Sequence, residues 1–240
     1  MDLRPDDPIA VALVEAIRGG HVDTLKHLLA VNAGLATATI ATSRSLLHIA
    51  TDWPGHFPNV AATVHALCEH GANVNARFTG PHTETPLHWA ASTNDVAALD
   101  ALLDLGADIE APGAVIGGGT ALADAVAFAQ WNAARRLVER GARTTLWQAA
   151  ALGLMEQVKG HLGAQPLPSG GEITNAFWCA CHGGQLEAAK YLLGQGADLN
   201  WIGYDHLTPL AAAQRNGAEA LVDWLRAQGA KRTDELQRVP

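Results

Sequence analysis

Glycine-alanine pairs recur along the chain at Gly71-Ala72, Gly106-Ala107 and Gly141-Ala142, and again at Gly163-Ala164, Gly196-Ala197 and Gly229-Ala230. The first three are spaced by 35 residues and the last three by 33. Self-similarity at such a period belongs to repeat architectures, in which one short unit cannot bury its apolar face alone and stacks on its neighbours. No other feature of the sequence restricts the fold as much. It predicts one elongated array where 240 residues would otherwise suggest one or two globular domains.

Inside the period lies a second signal, Thr85-Pro86-Leu87-His88-Trp89-Ala90, with looser copies at Ser45-Leu46-Leu47-His48-Ile49-Ala50 and Thr208-Pro209-Leu210-Ala211-Ala212-Ala213. Proline suits a first helical position, where its missing N–H is not needed. Glycine closes a helix in the left-handed cap conformation at little steric cost. On these residues the chain, from about residue 8 to 230, resembles an ankyrin-repeat protein of bacterial type. The resemblance implies an all-α solenoid of stacked helix–turn–helix units with projecting finger loops. An N-terminal cap unit is expected at about 8–34, with repeats at about 44–72, 84–107, 120–142, 144–164, 174–197 and 207–230. A charged tail, 231–240, is expected to fray. Only 22 residues separate Gly141 from Gly163, so the finger between the fourth and fifth units is expected to be almost absent.

Composition narrows the partners. With 24 acidic against 16 basic residues, a net charge of −8 and no Lys/Arg stripe, a nucleic-acid partner is not expected. No apolar run reaches the roughly 20 residues of a membrane helix, and the start, Met1 to Pro8, lacks the basic end and apolar run of a signal peptide. Three cysteines make no disulfide framework, which points to a reducing cytoplasm. Neither cofactor nor metal is expected. The run Gly117-Gly118-Gly119 lacks the spacing of a phosphate loop, and Cys179-Ala180-Cys181-His182 lacks a second ligand pair. Both cysteines read as buried structural residues.

The resemblance also implies a concave groove built from the fingers and the exposed end of each first helix. The groove pairs would be Arg18 and Gly19, Asp52 and Trp53, Ser92 and Thr93, Ala127 and Phe128, Ala151 and Leu152, His182 and Gly183, and Arg215 and Asn216. About five extra residues in the second repeat, near Trp53-Pro54-Gly55-His56-Phe57, interrupt the helix and present Trp53, His56 and Phe57 at the groove edge. The following finger carries Arg77, Phe78, His82 and Glu84, and the last one Trp201, Tyr204 and Asp205. The histidines of the repeated motif, His48 and His88, are expected to bond the neighbouring loop, with Trp147 and Trp178 in the equivalent places of later repeats. Asp124 occupies the apolar first-helix position of Trp89 and Ile49, so it is either held by backbone amides or shifted in pKa for a chemical task.

Two functions follow from these residues. In the first, implied by the resemblance, the chain is a binding module for a protein or a small polar molecule, with Trp53, Phe57, Arg77, Phe78, Trp201, Tyr204 and Asp205 as contacts. In the second, Asp52, His56, His82, Glu84, Asp124 and His182 supply acid–base chemistry for a hydrolase or lyase, for instance on a sugar.

Overall fold

Each repeat folds as a pair of helices because a capping residue precedes an apolar run and a left-handed residue turns the chain back after it. The computed structural model describes residues 1–236. Residues 237–240, the end of the predicted tail, lie outside them. Two compact units are present, Met1–Ala142 and the chain from Arg143 onward.

In the first unit α1 (Pro8–Arg18) pairs with α2 (Val22–Val31), and α3 (Leu46–Thr51) with α4 (Val60–Glu69). Next come α5 (Pro86–Ser92) with α6 (Val96–Asp104), and α7 (Ala121–Ala127) with α8 (Trp131–Glu139). First helices pack in the order α1, α3, α5, α7 and second helices in the order α2, α4, α6, α8. The second unit holds α9 (Leu146–Leu152) with α10 (Met155–Leu162), α11 (Gly170–His182) with α12 (Leu186–Gly194), and α13 (Pro209–Arg215) with α14 (Glu219–Ala227). There α9 packs on α11 and α11 on α13. A short helix, α15 (Thr233–Leu236), starts the tail. Its Thr233 hydroxyl donates to the His206 carbonyl at 2.8 Å.

Three two-residue strands were not predicted: β1 (Asp2–Leu3), β2 (Thr39–Ile40) and β3 (Arg44–Ser45). β2 lies between the other two, parallel to β1 and antiparallel to β3. The core combines alanines on the first helices, such as Ala90, Ala91, Ala149 and Ala150, with leucines on the second, such as Leu67, Leu102, Leu137 and Leu192, all fully buried. Small residues bring the first helices close together, and each buried leucine contributes roughly 1.5–3 kcal/mol.

The motif histidines tie each repeat to the next. His48 Nδ1 accepts the Ser45 N–H at 3.3 Å, and its Nε2 lies 3.1 Å from the Glu84 carbonyl. His88 Nδ1 accepts the Thr85 N–H at 3.1 Å, and its Nε2 lies 3.4 Å from the Gly119 carbonyl. An accepting Nδ1 and a carbonyl facing Nε2 require the neutral ring with its proton on Nε2. Burial pushes the pKa of both rings down, that of His48 to about 4.

Later repeats replace histidine in two ways. Trp178 donates its indole N–H to the Leu207 carbonyl at 2.8 Å, the same repeat-to-repeat bond. In α9, however, Gln148 and not Trp147 makes the cap, its Oε1 accepting the Thr145 N–H at 2.8 Å. The left-handed Gly153 follows α9 directly, whereas Thr93 separates α5 from the left-handed Asn94. Counting back from the turn therefore overshoots by one residue. α11 also begins earlier than 174, because Ser169 and Glu172 form a reciprocal capping box. Replacing Trp178 by phenylalanine keeps the ring and removes the donor. The expected loss is about 1 kcal/mol in urea denaturation, and unchanged stability would refute the bond.

Candidate functional site

The first unit carries a groove pocket of about 220 Å³. Asp52 and Trp53 line it from the second repeat, Trp89, Ser92 and Thr93 from the third, and Phe128 from the fourth, with Glu84 and Val115 reaching in from the fingers. Asp52, Trp53, Ser92, Thr93 and Phe128 are predicted groove-pair positions of three successive repeats, whereas Trp89 and Val115 are not. Trp53 is 75% exposed, Val115 49% and Phe128 44%. Trp53 stands clear because proline and the turn at Gly55 end α3 early. The rest of the insert is fastened to its neighbours, His56 to the next repeat and Phe57 to the preceding unit. The His56 N–H donates to Asp95 Oδ2 at 2.7 Å, and His56 Nε2 lies 3.0 Å from the Thr93 carbonyl. Phe57 is half-buried with the Arg18 guanidinium 5.7 Å from its ring centre.

Asp52 is neutralised from two sides, since its Oδ2 accepts Arg18 at 2.9 Å and Arg44 at 3.1 Å. Glu84 is buried and committed: Oε1 accepts the Val115 N–H at 3.0 Å and Oε2 the Trp89 indole N–H at 2.8 Å. His82 Nδ1 lies 3.1 Å from the same Oε2, and the His82 ring stacks on Phe78 at 4.5 Å. Arg77 donates to the carbonyls of Thr83 and Pro112, joining two fingers from the outside. The fingers touch at Gly113, where a Cβ would come within 2.5 Å of the Thr83 carbonyl.

Asp124 has no exposed surface, and neither of its carboxyl oxygens meets a hydrogen-bond donor in good geometry. Burial pushes its pKa up to about 8, reinforced by the negative charge of Glu84, while the Ile116 backbone acts in the opposite sense. His82 and Asp124 therefore both adjoin Glu84, which lines the pocket together with Asp52.

The other predicted positions lie in the second unit. His182 is buried and stacks on Trp178 at 5.4 Å, with Asn216 donating to its carbonyl. Tyr204 is 55% exposed and meets the edge of Trp178 at 5.1 Å, with Trp201 at 6.1 Å on another side. Asp205 accepts Arg215 at 2.6 Å. Cys179 and Cys181 are buried, which raises both thiol pKa values above the ordinary range. Among the described residues no group of three or more His, Cys, Asp or Glu is arranged to hold a metal, and no helix is long and apolar enough to cross a membrane.

Sequence reasoning placed neither Val115 nor Phe128 among the site residues. Phe128 had a usable signal, since it holds the same groove-pair place as Trp53. Val115 had none, because its position depends on how the 113–119 turn folds.

A model of the ankyrin repeat matches residues 82–111, and a model of three ankyrin repeats matches residues 146–235, together half of the chain. No curated protein sequence matches. The crystal structure of the human ASB11 ankyrin repeat domain superposes with a TM-score of 0.53 at 22% identity, covering 89% of this chain and 96% of that one. With stacked helical hairpins on both sides of the matched segment of the third repeat and capping histidines in the second and third repeats, the chain belongs to the ankyrin-repeat family.

Proposed function

We propose that the groove of the first unit holds a segment of a partner protein, one large side chain of which fills the pocket between Trp53, Trp89, Val115 and Phe128. Repeats of this family mediate protein–protein interaction. The observation that carries the reading is the convergence of three exposed apolar side chains, from separate repeats, on one pocket. Its volume favours that occupant. About 220 Å³ suits a single large side chain, whereas small-molecule and cofactor sites run from about 300 to 1,000 Å³. Exposed aromatics around such a pocket have the character of binding hot spots.

Acid–base catalysis finds less support here. Glu84 already accepts two hydrogen bonds, Asp52 is paired with two arginines, and Asp124 has no surface to offer a ligand. A photo-crosslinking amino acid at position 53 tests the binding reading in cells that make the protein. We expect one discrete protein adduct that disappears with Phe128→Asp. With that partner purified, Trp53→Ala should weaken binding about thirtyfold, the size of a hot-spot loss of about 2 kcal/mol, without altering folding. An adduct indifferent to Phe128→Asp, or affinity unchanged by Trp53→Ala, would sink the proposal.

A further inference from the structure

We infer that Asp124 and Glu84 share one proton, and that this proton fastens the 113–119 turn to α7, making Asp124 a positioning residue of the groove. Where it concerns partner affinity the inference rests on the function proposed above; the proton lock itself does not.

The geometry poses a simple problem. Asp124 is buried in a position that holds Trp89 in α5 and Ile49 in α3, and its two oxygens lack a donor in good geometry. Its neighbour is the carboxyl group of Glu84. Two ionised carboxylates offer each other only acceptors, so their contact is attractive only with a proton between them. Glu84 receives the Val115 and Trp89 N–H groups, so each of its oxygens already acts as an acceptor. Asp124 is offered only the Ile116 backbone, short of good geometry, so the proton resides on Asp124 and is donated to Glu84.

The consequence reaches the groove through Val115. Its backbone N–H is held by Glu84 Oε1, and its side chain lines the pocket. The Ile116 backbone, one residue on, lies against Asp124. The turn is closed on itself by Gly113 N–H to Gly118 and Ala114 N–H to Gly119 at 3.0 Å each, and its two ends are held by Thr83 N–H on the Gly113 carbonyl and His88 Nε2 on the Gly119 carbonyl. The carboxyl pair is thus the tie at the middle of the turn, at Val115 and Ile116, between those two end contacts. Removing the proton sets two negative charges side by side away from water, and the tie loosens at Val115. Groove binding then weakens as the pH rises through about 8.

The other ionisable groups around the pair are known. The finger contributes His82, 3.1 Å from Glu84 Oε2, and Arg77, which is bound to carbonyls. From α3 and α5 come His48 and His88, both held neutral by burial. On α8, Arg136 is turned to Asp100 and Glu139, and Arg135 is exposed. Of these, His82 is the one that faces the Glu84 carboxylate directly, so its replacement is the control.

Trp89 is a built-in reporter, because its indole N–H bonds the Glu84 oxygen. We would label the full chain with 5-fluorotryptophan, assign Trp89 with Trp89→Phe, and follow its fluorine resonance from pH 6 to 9.5. The expected result is one titration with a midpoint near 8, retained in His82→Gln and absent in Asp124→Asn, whose amide donates to Glu84 at every pH. A Trp89 signal that stays flat in the native protein would overturn the inference. So would a midpoint that survives Asp124→Asn or vanishes in His82→Gln. If Asp124→Asn failed to fold, the native and His82→Gln titrations would still decide. An intact titration with no pH dependence of partner binding would count against the groove reading and leave the lock standing.

Discussion

Gly183→Ala is expected to destabilise the second unit by about 3 kcal/mol or more, at the upper end of what overpacking costs. Gly183 follows α11, and its φ of −83° is open to any residue. The obstacle is purely spatial. A Cβ there would lie 1.8 Å from the Ala151 carbonyl oxygen and 2.7 Å from its carbon. Both are backbone atoms of α9, so no side chain can rotate away, and α9 and α11 must separate where they pack most closely. The Ala151 and Gly183 positions are groove-pair places of adjacent repeats, so the strain falls on the stacking itself. Urea denaturation followed by circular dichroism measures the loss. Gly160→Ala is the control: Gly160 is exposed within α10 and a Cβ there meets nothing. Alanine at that site should stabilise by about 0.5–1 kcal/mol. Equal midpoints for the two variants would show that the α9–α11 contact is looser than described.

Asp124→Asn should act in the opposite direction, with an effect that depends on pH. The ordinary carboxyl pKa is 3.8, and in the folded protein it rises to about 8. Between these values the folded state keeps a proton that the unfolded chain has released. Stability from this group is therefore complete below pH 3.8, falls as the pH rises through about 8, and is level above it. The buried histidines oppose it. His48 and His88 have folded pKa values below the ordinary 6.5, so their contribution falls as the pH drops below 6.5, for His48 until about 4. Asparagine removes only the Asp124 component. At pH 4 the two proteins should match closely, and at pH 8 the variant should be more stable by about 1–3 kcal/mol, the usual penalty of an unsatisfied buried polar group. Urea midpoints measured across this range check the claim, and parallel curves for the two proteins would contradict it.

A costly carboxyl at this place makes sense only if it serves something besides stability. Natural proteins retain such groups where function needs them, and here the group lies beneath the one pocket wall contributed by the 113–119 turn. The proposed binding reading and the stability cost thus have a common structural origin.

Some of this was legible in the residues alone. The Gly-Ala period and the capping motif are local: a cap, an apolar stripe and a left-handed turn act over a few residues each, whatever lies next to them. They determined the helical pairs, and the resemblance they carry implied the histidine links and the groove positions of Asp52, Trp53, Ser92, Thr93 and Phe128. The early start of α11 was also present in Ser169 and Glu172. The anomaly at Asp124 was visible as a carboxylate in an apolar place, but its partner was not. Glu84 and Asp124 are 40 residues apart in sequence, and Val115 comes from a turn whose path no periodic pattern describes. Only stacking of the repeats decides which finger lies over which helix, because that register is set by packing between repeats and not by the caps within one. Tertiary structure therefore decided that Trp53, Val115 and Phe128 share a pocket, and that the Glu84 carboxyl, which also lines it, meets the carboxyl of Asp124.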